Sequence, residues 1–349
     1  SAKKKLLITF AFLGVLMTAS LWFVEQGEWQ LAVFFYVIAT IGFMAGNIFY
    51  DSLLPEVASR EKVDYVSALG YSLGYLGGGS LFAVNVLMYL HPDWFGIPDS
   101  STAIRISFLT VAIWWAVFTL PIIIFLPEPK SSNSVPLSKA VFSGISQLRE
   151  TYDNIREMKI IGTFLLAFWL YEDGVATIVR MAGKIASSLG FAAGDIITAI
   201  LMVQFIGFPA ALLYNWFAKK IGIKNAVLVA IAGYGIITLL GYMMTDIIHF
   251  YILAAMIGIF QGGIQSLSRS LFTRLVPKGK EAEFFGFYNM LGKFAAVIGP
   301  ILVGWITVMT GNPRTGILSI VVLFILGGLL LIKVDFEAGE KIAADFGKK

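Results

Sequence analysis

Ten uninterrupted apolar runs, each about twenty residues long, set the limits on what this chain can become. They cover residues 6–24, 29–50, 65–90, 103–126, 158–182, 195–217, 225–244, 247–272, 284–309 and 314–333. A bilayer core about 30 Å thick takes about 20 apolar residues in helix. Lipid offers no partner for a backbone amide, so only helices or closed barrels can span it. The runs are continuous and lack the roughly ten-residue alternation of barrel strands. The expected fold class is an all-α membrane protein of about ten transmembrane helices. The first run is no signal peptide, because it is long, has no small-residue cleavage site and precedes nine further spans.

Composition agrees and removes whole classes of function. Only 14% of the 349 residues are charged and 58% are hydrophobic, whereas soluble domains carry about 25% charged residues. The chain has no cysteine and two histidines, His91 and His249, both at the ends of runs. Thiol chemistry, disulfides and a thiolate metal site are therefore excluded, and no metal or cofactor is expected. No nucleophile–base pair, phosphate-binding loop or sizeable soluble domain is present, so neither an enzyme nor a nucleotide-driven pump is expected. The net charge of +4 sits in loops and calls for no nucleic acid.

Lysine and arginine alternate from loop to loop as ten spans require. Lys3, Lys4, Lys5, Arg60, Lys62, Lys130, Lys139, Arg149, Arg156, Lys219, Lys220, Lys224, Arg274, Lys278 and Lys280 fall on one side. Arg105, Lys184 and Arg314 fall on the other. Both termini are expected in the cytoplasm. The longest polar stretch, 127–157, opens with prolines and serines and continues as a short amphipathic helix. It separates an N-terminal part, 1–126, from a six-span part, 158–333, which a tail follows at 334–349. A faint repeat links Leu53–Gly79 with Arg274–Pro300. Each passage has a leucine-proline helix end, a charged loop, an acid with an aromatic, then Leu-Gly. Two six-span halves related in this way would place two further helices before Ser1.

Several stretches resemble a known family. Asn215-Trp-Phe-Ala-Lys219-Lys220-Ile-Gly222-Ile-Lys224 resembles the basic loop of the major facilitator superfamily, with Lys219 where that loop has an acid. Within the superfamily, YEDGVATI at 171–178, ALGYSLGYLGGG at 68–79 and QGGIQSLSRSLFTRLVPKGKEAEFFGFYNMLGKF at 261–294 resemble the autophagy-linked vacuolar amino-acid effluxers and their bacterial permease relatives. The resemblance covers essentially the whole chain. It implies a solute permease of twelve-helix type, with amino-acid efflux in the yeast branch, in a bacterial cell (inner) membrane here. Gly74-Tyr75-x-x-Gly78-Gly79 resembles the superfamily's antiporter signature, with Tyr75 replacing its proline.

Polar residues at depth supply the candidate site independently of that resemblance, since a charge at a helix centre costs at least about 2.5–3.5 kcal/mol. Glu172 and Asp173 lie about a dozen residues into the fifth span, roughly 18 Å deep. Arg180 follows two turns on, and Lys293 lies inside the ninth span. They make a proton path or a substrate clamp, or else structural ion pairs, Glu172 with Arg180 or Asp173 with Lys293. Gln261, Gln265 and Arg269 recur every fourth residue along the eighth span, bordered by Ser268. Such a stripe lines a central cavity or glues helices together, and Arg269 can snorkel to headgroups. Tyr71, Tyr75, Asn85 and Asn289 are further cavity candidates. Gly70, Gly74 and Gly78 suit close helix packing, and Gly299-Pro300 suits a bending element. Lys219, Lys220, Gly222 and Lys224 form the basic loop.

The function expected is a secondary transporter that moves a small polar solute by alternating access, with protons the candidate coupling ion. The alternatives are a non-transporting receptor or scaffold, or an inactive fragment of a transporter. A monomer in the bilayer is expected.

Overall fold

The computed structural model describes residues 3–127, 158–295 and 297–346. Among them there are helices and no strands. In chain order the helices are α1 (Lys3–Ser20), α2 (Trp29–Ser52), the short α3 (Leu54–Val57), α4 (Val63–Leu90) and α5 (Ser100–Phe125). After the interval come α6 (Lys159–Ser188), α7 (Ala193–Ile221), α8 (Ile223–Tyr242), α9 (Ile247–Leu275), α10 (Glu281–Phe294) and α11 (Ile298–Thr310). Then follow α12 (Pro313–Leu318), α13 (Val321–Lys333) and α14 (Phe336–Asp345). The amphipathic helix expected within 127–157 lies outside the described residues.

Among the described residues ten helical segments are long and apolar enough to cross a membrane. Two are not single rods. The ninth span, Glu281–Thr310, breaks between α10 and α11, and the tenth, Pro313–Lys333, changes course between α12 and α13. Proline explains the first restart. Pro300 lacks an N–H, and its ring collides with the carbonyl four residues back. A helix therefore resumes with proline in its first turn, where the missing donor costs nothing. The outward faces carry large apolar side chains, with Phe125 79% and Val308 83% exposed. Such faces suit lipid and would be costly in water.

The chain forms two compact units. Of the described residues, one contains 3–57 and 78–127, the other 58–77, 158–295 and 297–346. Residues 58–77 thus group with the C-terminal helices, which differs from the boundary expected near 126. Hydrogen bonds explain this: Ser67 Oγ donates to Ser266 O at 2.7 Å, and Ser72 Oγ donates to Phe208 O at 2.7 Å.

In the first unit α1 packs on α2 and α5. The approach is close at Gly42, where a methyl would stand 2.7 Å from the Gly14 nitrogen. Asp99 starts α5 by accepting from the Thr102 amide at 2.7 Å. That N–H is the main reason the Asp99 carboxyl is held below its ordinary pKa. A lowered folded value means the cap is fully effective above the ordinary carboxylate pKa and fades as pH falls through the folded one. Asp99→Ala should therefore lower the Tm in detergent slightly at neutral pH. The deficit should close in acid, and a thermal-shift series over pH checks it.

In the second unit one continuous core runs through α6–α13, and Phe336 of α14 packs against it. α13 packs on α6 and α8, and α9 lies on α7 and α8. Phe164, Phe272, Phe285 and Tyr288 form an aromatic cluster at the centre. The tail helix α14 seats Phe336 edge-on against Phe164 and joins an ionic chain. Arg274 Nη2 lies 2.7 Å from Asp64 Oδ2 and Nη1 3.8 Å from Glu340 Oε1, while Arg60 Nη1 lies 3.3 Å from Glu340 Oε2.

Candidate functional site

The fifth span carries its two acids where α6 meets the broken ninth span. Asp173 is 1% exposed. Its Oδ2 accepts from the Ile298 amide at 3.0 Å, and its Oδ1 accepts from the Gly299 amide at 2.8 Å and from Thr177 Oγ1 at 3.2 Å. Those amides begin α11 and would otherwise lack partners. Glycine at 299 is required by this approach, because a methyl there would collide with Thr177 Oγ1 and stand 2.8 Å from Asp173 Oδ1.

Glu172 points elsewhere. The cation whose field acts on it is Lys293, in the last turn of α10, and the cation acting on Asp173 is Arg180. Successive helix residues diverge by about 100°, so the two acids face different neighbours, and Arg180, seven residues beyond Asp173, lies on the Asp173 face of the same helix.

A polar seam runs from residues 64–75 of α4 to α9. Tyr75 donates to Gln265 Oε1 at 2.7 Å. Arg269, 4% exposed, donates from Nε to Ser67 Oγ at 3.0 Å and from Nη2 to Ser67 O at 3.1 Å. Its guanidinium stands 4.5 Å above the Tyr71 ring. Tyr171 and Ser268 share a hydrogen bond of 2.7 Å across α6 and α9. Gln265 and Arg269 are thus interhelical ties, and Arg269 is too buried to reach headgroups. Gln261 differs, since its Oε1 is buried with no hydrogen-bond partner.

Gln261 also lines a partly open cavity of about 330 Å³ bordered by α6, α7, α8, α9 and α12. The wall is mostly carbon, from residues such as Ile196, Val203, Ile237 and Phe250. Arg180, Gln204, Thr238 and Gln261 supply polar atoms. The cavity therefore gathers Arg180 and Gln261 from the sequence candidates and adds Gln204.

The remaining candidates lie elsewhere. Asn85 accepts from Thr110 Oγ1 at 2.9 Å in the first unit, and Asn289 donates to Phe285 O of its own helix at 3.0 Å. Gly74 and Gly78 are exposed and Gly70 half-buried. A methyl on Gly74 meets nothing within 4 Å, so Gly74 is not a packing point. Close approach falls instead on Gly258, Gly262 and Gly263 of α9. In the basic loop Gly222 takes a φ of +88° between α7 and α8. Lys224 Nζ donates to Ile332 O and Val334 O, both at 2.8 Å, at the end of α13. Cations suit that end of a helix. Lys220 lies 3.7 Å over the Trp216 ring, and Lys219 is exposed. Thr177, Ser67, Tyr171 and Gln204 were not singled out by sequence. Thr177 had a signal, since it stands one turn from Asp173 on the same face.

Residues 1–344 match the family described as vacuole effluxer Atg22 like. YxiO of Bacillus subtilis (strain 168), described as an uncharacterized MFS-type transporter, is 35% identical over 342 residues. The match covers 98% of this chain and 79% of YxiO. Autophagy-related protein 22 of Yarrowia lipolytica is 24% identical over 431 residues, covering 98% of this chain and 72% of its own. Among solved structures, the human organic anion transporter MFSD10 superposes with a TM-score of 0.70 at 14% identity, over 94% of this chain and 77% of that one. The E. coli fucose:proton symporter FucP gives 0.68 at 15% identity, over 96% and 84%.

Proposed function

Because the chain belongs to the Atg22-like family of major-facilitator transporters, we propose that the solute it moves carries a carboxylate on an apolar body, a neutral apolar amino acid above all. The cavity beside α6 carries this reading. Its carbon walls suit an apolar side chain, and its volume of about 330 Å³ falls at the small end of the roughly 300–1,000 Å³ usual for ligand pockets. Arg180 offers a planar, permanently charged partner for a carboxylate. Gln261 Oε1, lacking a partner, can accept from an ammonium group. A relative of the same fold is described as an organic anion transporter, which agrees with a cationic contact. Protons are the coupling ion in this proposal, with Glu172 as their carrier. Both termini are assigned to the cytoplasmic side of the cell membrane from the lysine and arginine bias.

Arg180→Ala should raise the half-saturation concentration for a leucine-like solute in proteoliposomes. The rise should be about 10- to 100-fold, the value of a hydrogen bond to a charged group. Arg180→Lys should recover part of it, since charge survives and the planar fork does not. Concentration-dependent efflux of labelled solute, with a neutral sugar as control, is the measurement. Equal half-saturation in Arg180→Ala and the parent chain would refute the carboxylate contact.

A further inference from the structure

The cavity beside α6 is polar at one end and apolar at the other, and a glycine stands at the apolar end. We propose that Gly241 is the specificity-determining residue of this cavity. The space left by its missing side chain takes the apolar body of the solute and selects a bulky one, of leucine or phenylalanine size, over that of alanine. The proposal deepens the solute reading given above and rests on it.

Three observations carry it. First, the polarity of the wall is graded along the helices. α7 and α9 run side by side in the same direction, since Gly258 meets Ile206 and Gly263 meets Tyr214. On α7 the wall passes from Ile196 to Gln204, and on α9 from Phe250 to Gln261, roughly 12 and 16 Å along the two axes. α8 runs the opposite way, since Gly233 meets Phe260 while Gly241 faces Leu253. Gly241 therefore belongs to the Phe250 end, away from the two glutamines. Thr238, one turn before it, donates its hydroxyl proton to Tyr234 O at 2.8 Å and so spends it inside α8.

Second, neither usual reason for a glycine applies at 241. Its φ is not positive, so the backbone does not call for a residue without a side chain. A methyl there would touch only Leu253 Cδ1, at 4.0 Å, and Leu253 is itself part of the cavity wall. Gly233, two turns earlier on the same helix, differs, because a methyl there would stand 2.7 Å from the Phe260 ring. Packing calls for glycine at 233 and leaves room for a side chain at 241.

Third, the wall is closed around that opening. The other wall glycine, Gly183, would set a methyl in ordinary contact with Ile196 Cγ2 at 3.4 Å. Phe250 and Ile320, which also line the cavity, are buried and packed in the core. A bulky apolar body gains contact with these carbons. An alanine-sized one leaves a void over Gly241, and a void forfeits the dispersion contacts of its lining.

Thermal-shift titration in detergent gives dissociation constants, because a ligand stabilises the state it binds. The probes are alanine, valine, leucine and phenylalanine, together with their amides, which lack the carboxylate. The parent chain is expected to bind leucine about 10- to 200-fold more tightly than alanine, the discrimination of an apolar pocket. Gly241→Leu fills the space with carbon, and that ratio is expected to fall at least about tenfold. Gly241→Ala should give an intermediate ratio and serves if the leucine variant does not fold. Without ligand, the Gly241 variants should melt no lower than the parent, whereas Gly233→Ala should melt lower. A leucine-to-alanine ratio equal to the parent's in the Gly241 variant that folds overturns the proposal. So does a ligand-free Gly241→Ala that melts as low as Gly233→Ala, or a parent chain that binds none of the probes. The carboxylate reading fails separately, if the amides bind as tightly as the acids or Arg180→Ala binds the series as the parent does. A size order that still follows position 241 would then stand without it.

Discussion

Gly263→Ala should lower the stability of the detergent-solubilised protein more than any other single methyl added to α9. A methyl at 263 would overlap the Tyr214 ring, standing 2.9 Å from Cε1 and nearer still to Cγ and Cδ1. Tyr214 cannot easily retreat. It is 7% exposed, and its hydroxyl donates to Ala226 O at 2.9 Å. Overpacking a filled core costs about 1–3 kcal/mol, and loss of the tyrosine hydrogen bond adds about 0.5–1.5 kcal/mol. The neighbouring Gly262 is also close, since a methyl there would lie 2.8 Å from Ala211 Cβ. The contact between α7 and α9 therefore has no slack. Membrane helices associate through such close packing, because lipid gives them no hydrophobic drive to pair. The expected result is a clear drop in Tm and in monodisperse yield, with partial recovery in the double variant Gly263→Ala, Tyr214→Leu. An unchanged Tm would mean that α7 and α9 are not in this contact in the bilayer.

The second large effect is expected at Arg269. Replacing it with methionine keeps most of the apolar stem and removes two hydrogen bonds to Ser67 and the stacking on Tyr71. Hydrogen bonds to charged groups contribute about 1.5–3 kcal/mol, and a desolvated cation over an aromatic ring contributes about 2 kcal/mol. These are not additive, and removing a buried charge recovers part of its desolvation cost. A net loss on the order of 2–3 kcal/mol is expected. Arg269→Lys should recover less than half, since an ammonium cannot reach Ser67 with a planar fork. Thermal stability and transport should fall together. A normal Tm with abolished transport would instead make Arg269 a solute contact.

Much of the fold was legible because its signal is long. Each of the ten expected runs falls on one of the ten spans found among the described residues, overrunning it by two residues at most, and the boundaries differ mainly because helices such as Lys159–Ser188 and Ala193–Ile221 continue past the hydrocarbon into polar residues. The break in the ninth span was partly legible, since Gly299-Pro300 marked a bend. The run 284–309 nevertheless reads as one helix, because Phe-Ala-Ala-Val before it is ordinary helical sequence. The candidate site was legible in its residue types and not in its partners. Depth alone singled out Glu172, Asp173 and Lys293. Where Lys293 falls relative to the acids depends on how two helices rotate against each other, which has no sequence period. Ser67, Thr177 and Tyr171 went unmarked because hydroxyls are common in membrane helices, and only the fold shows which of them receive a charged partner.

The ionic chain at the tail helix has a consequence for biosynthesis. Asp64 leaves the ribosome early and can meet Arg274 once the eighth span has been inserted. Glu340, which also serves Arg60, emerges only after the tenth span has followed. Until then Arg60 stands without its carboxylate, and Phe164 without the ring of Phe336 that covers it. The helix Phe336–Asp345 thus closes that corner after the spans it covers have been made.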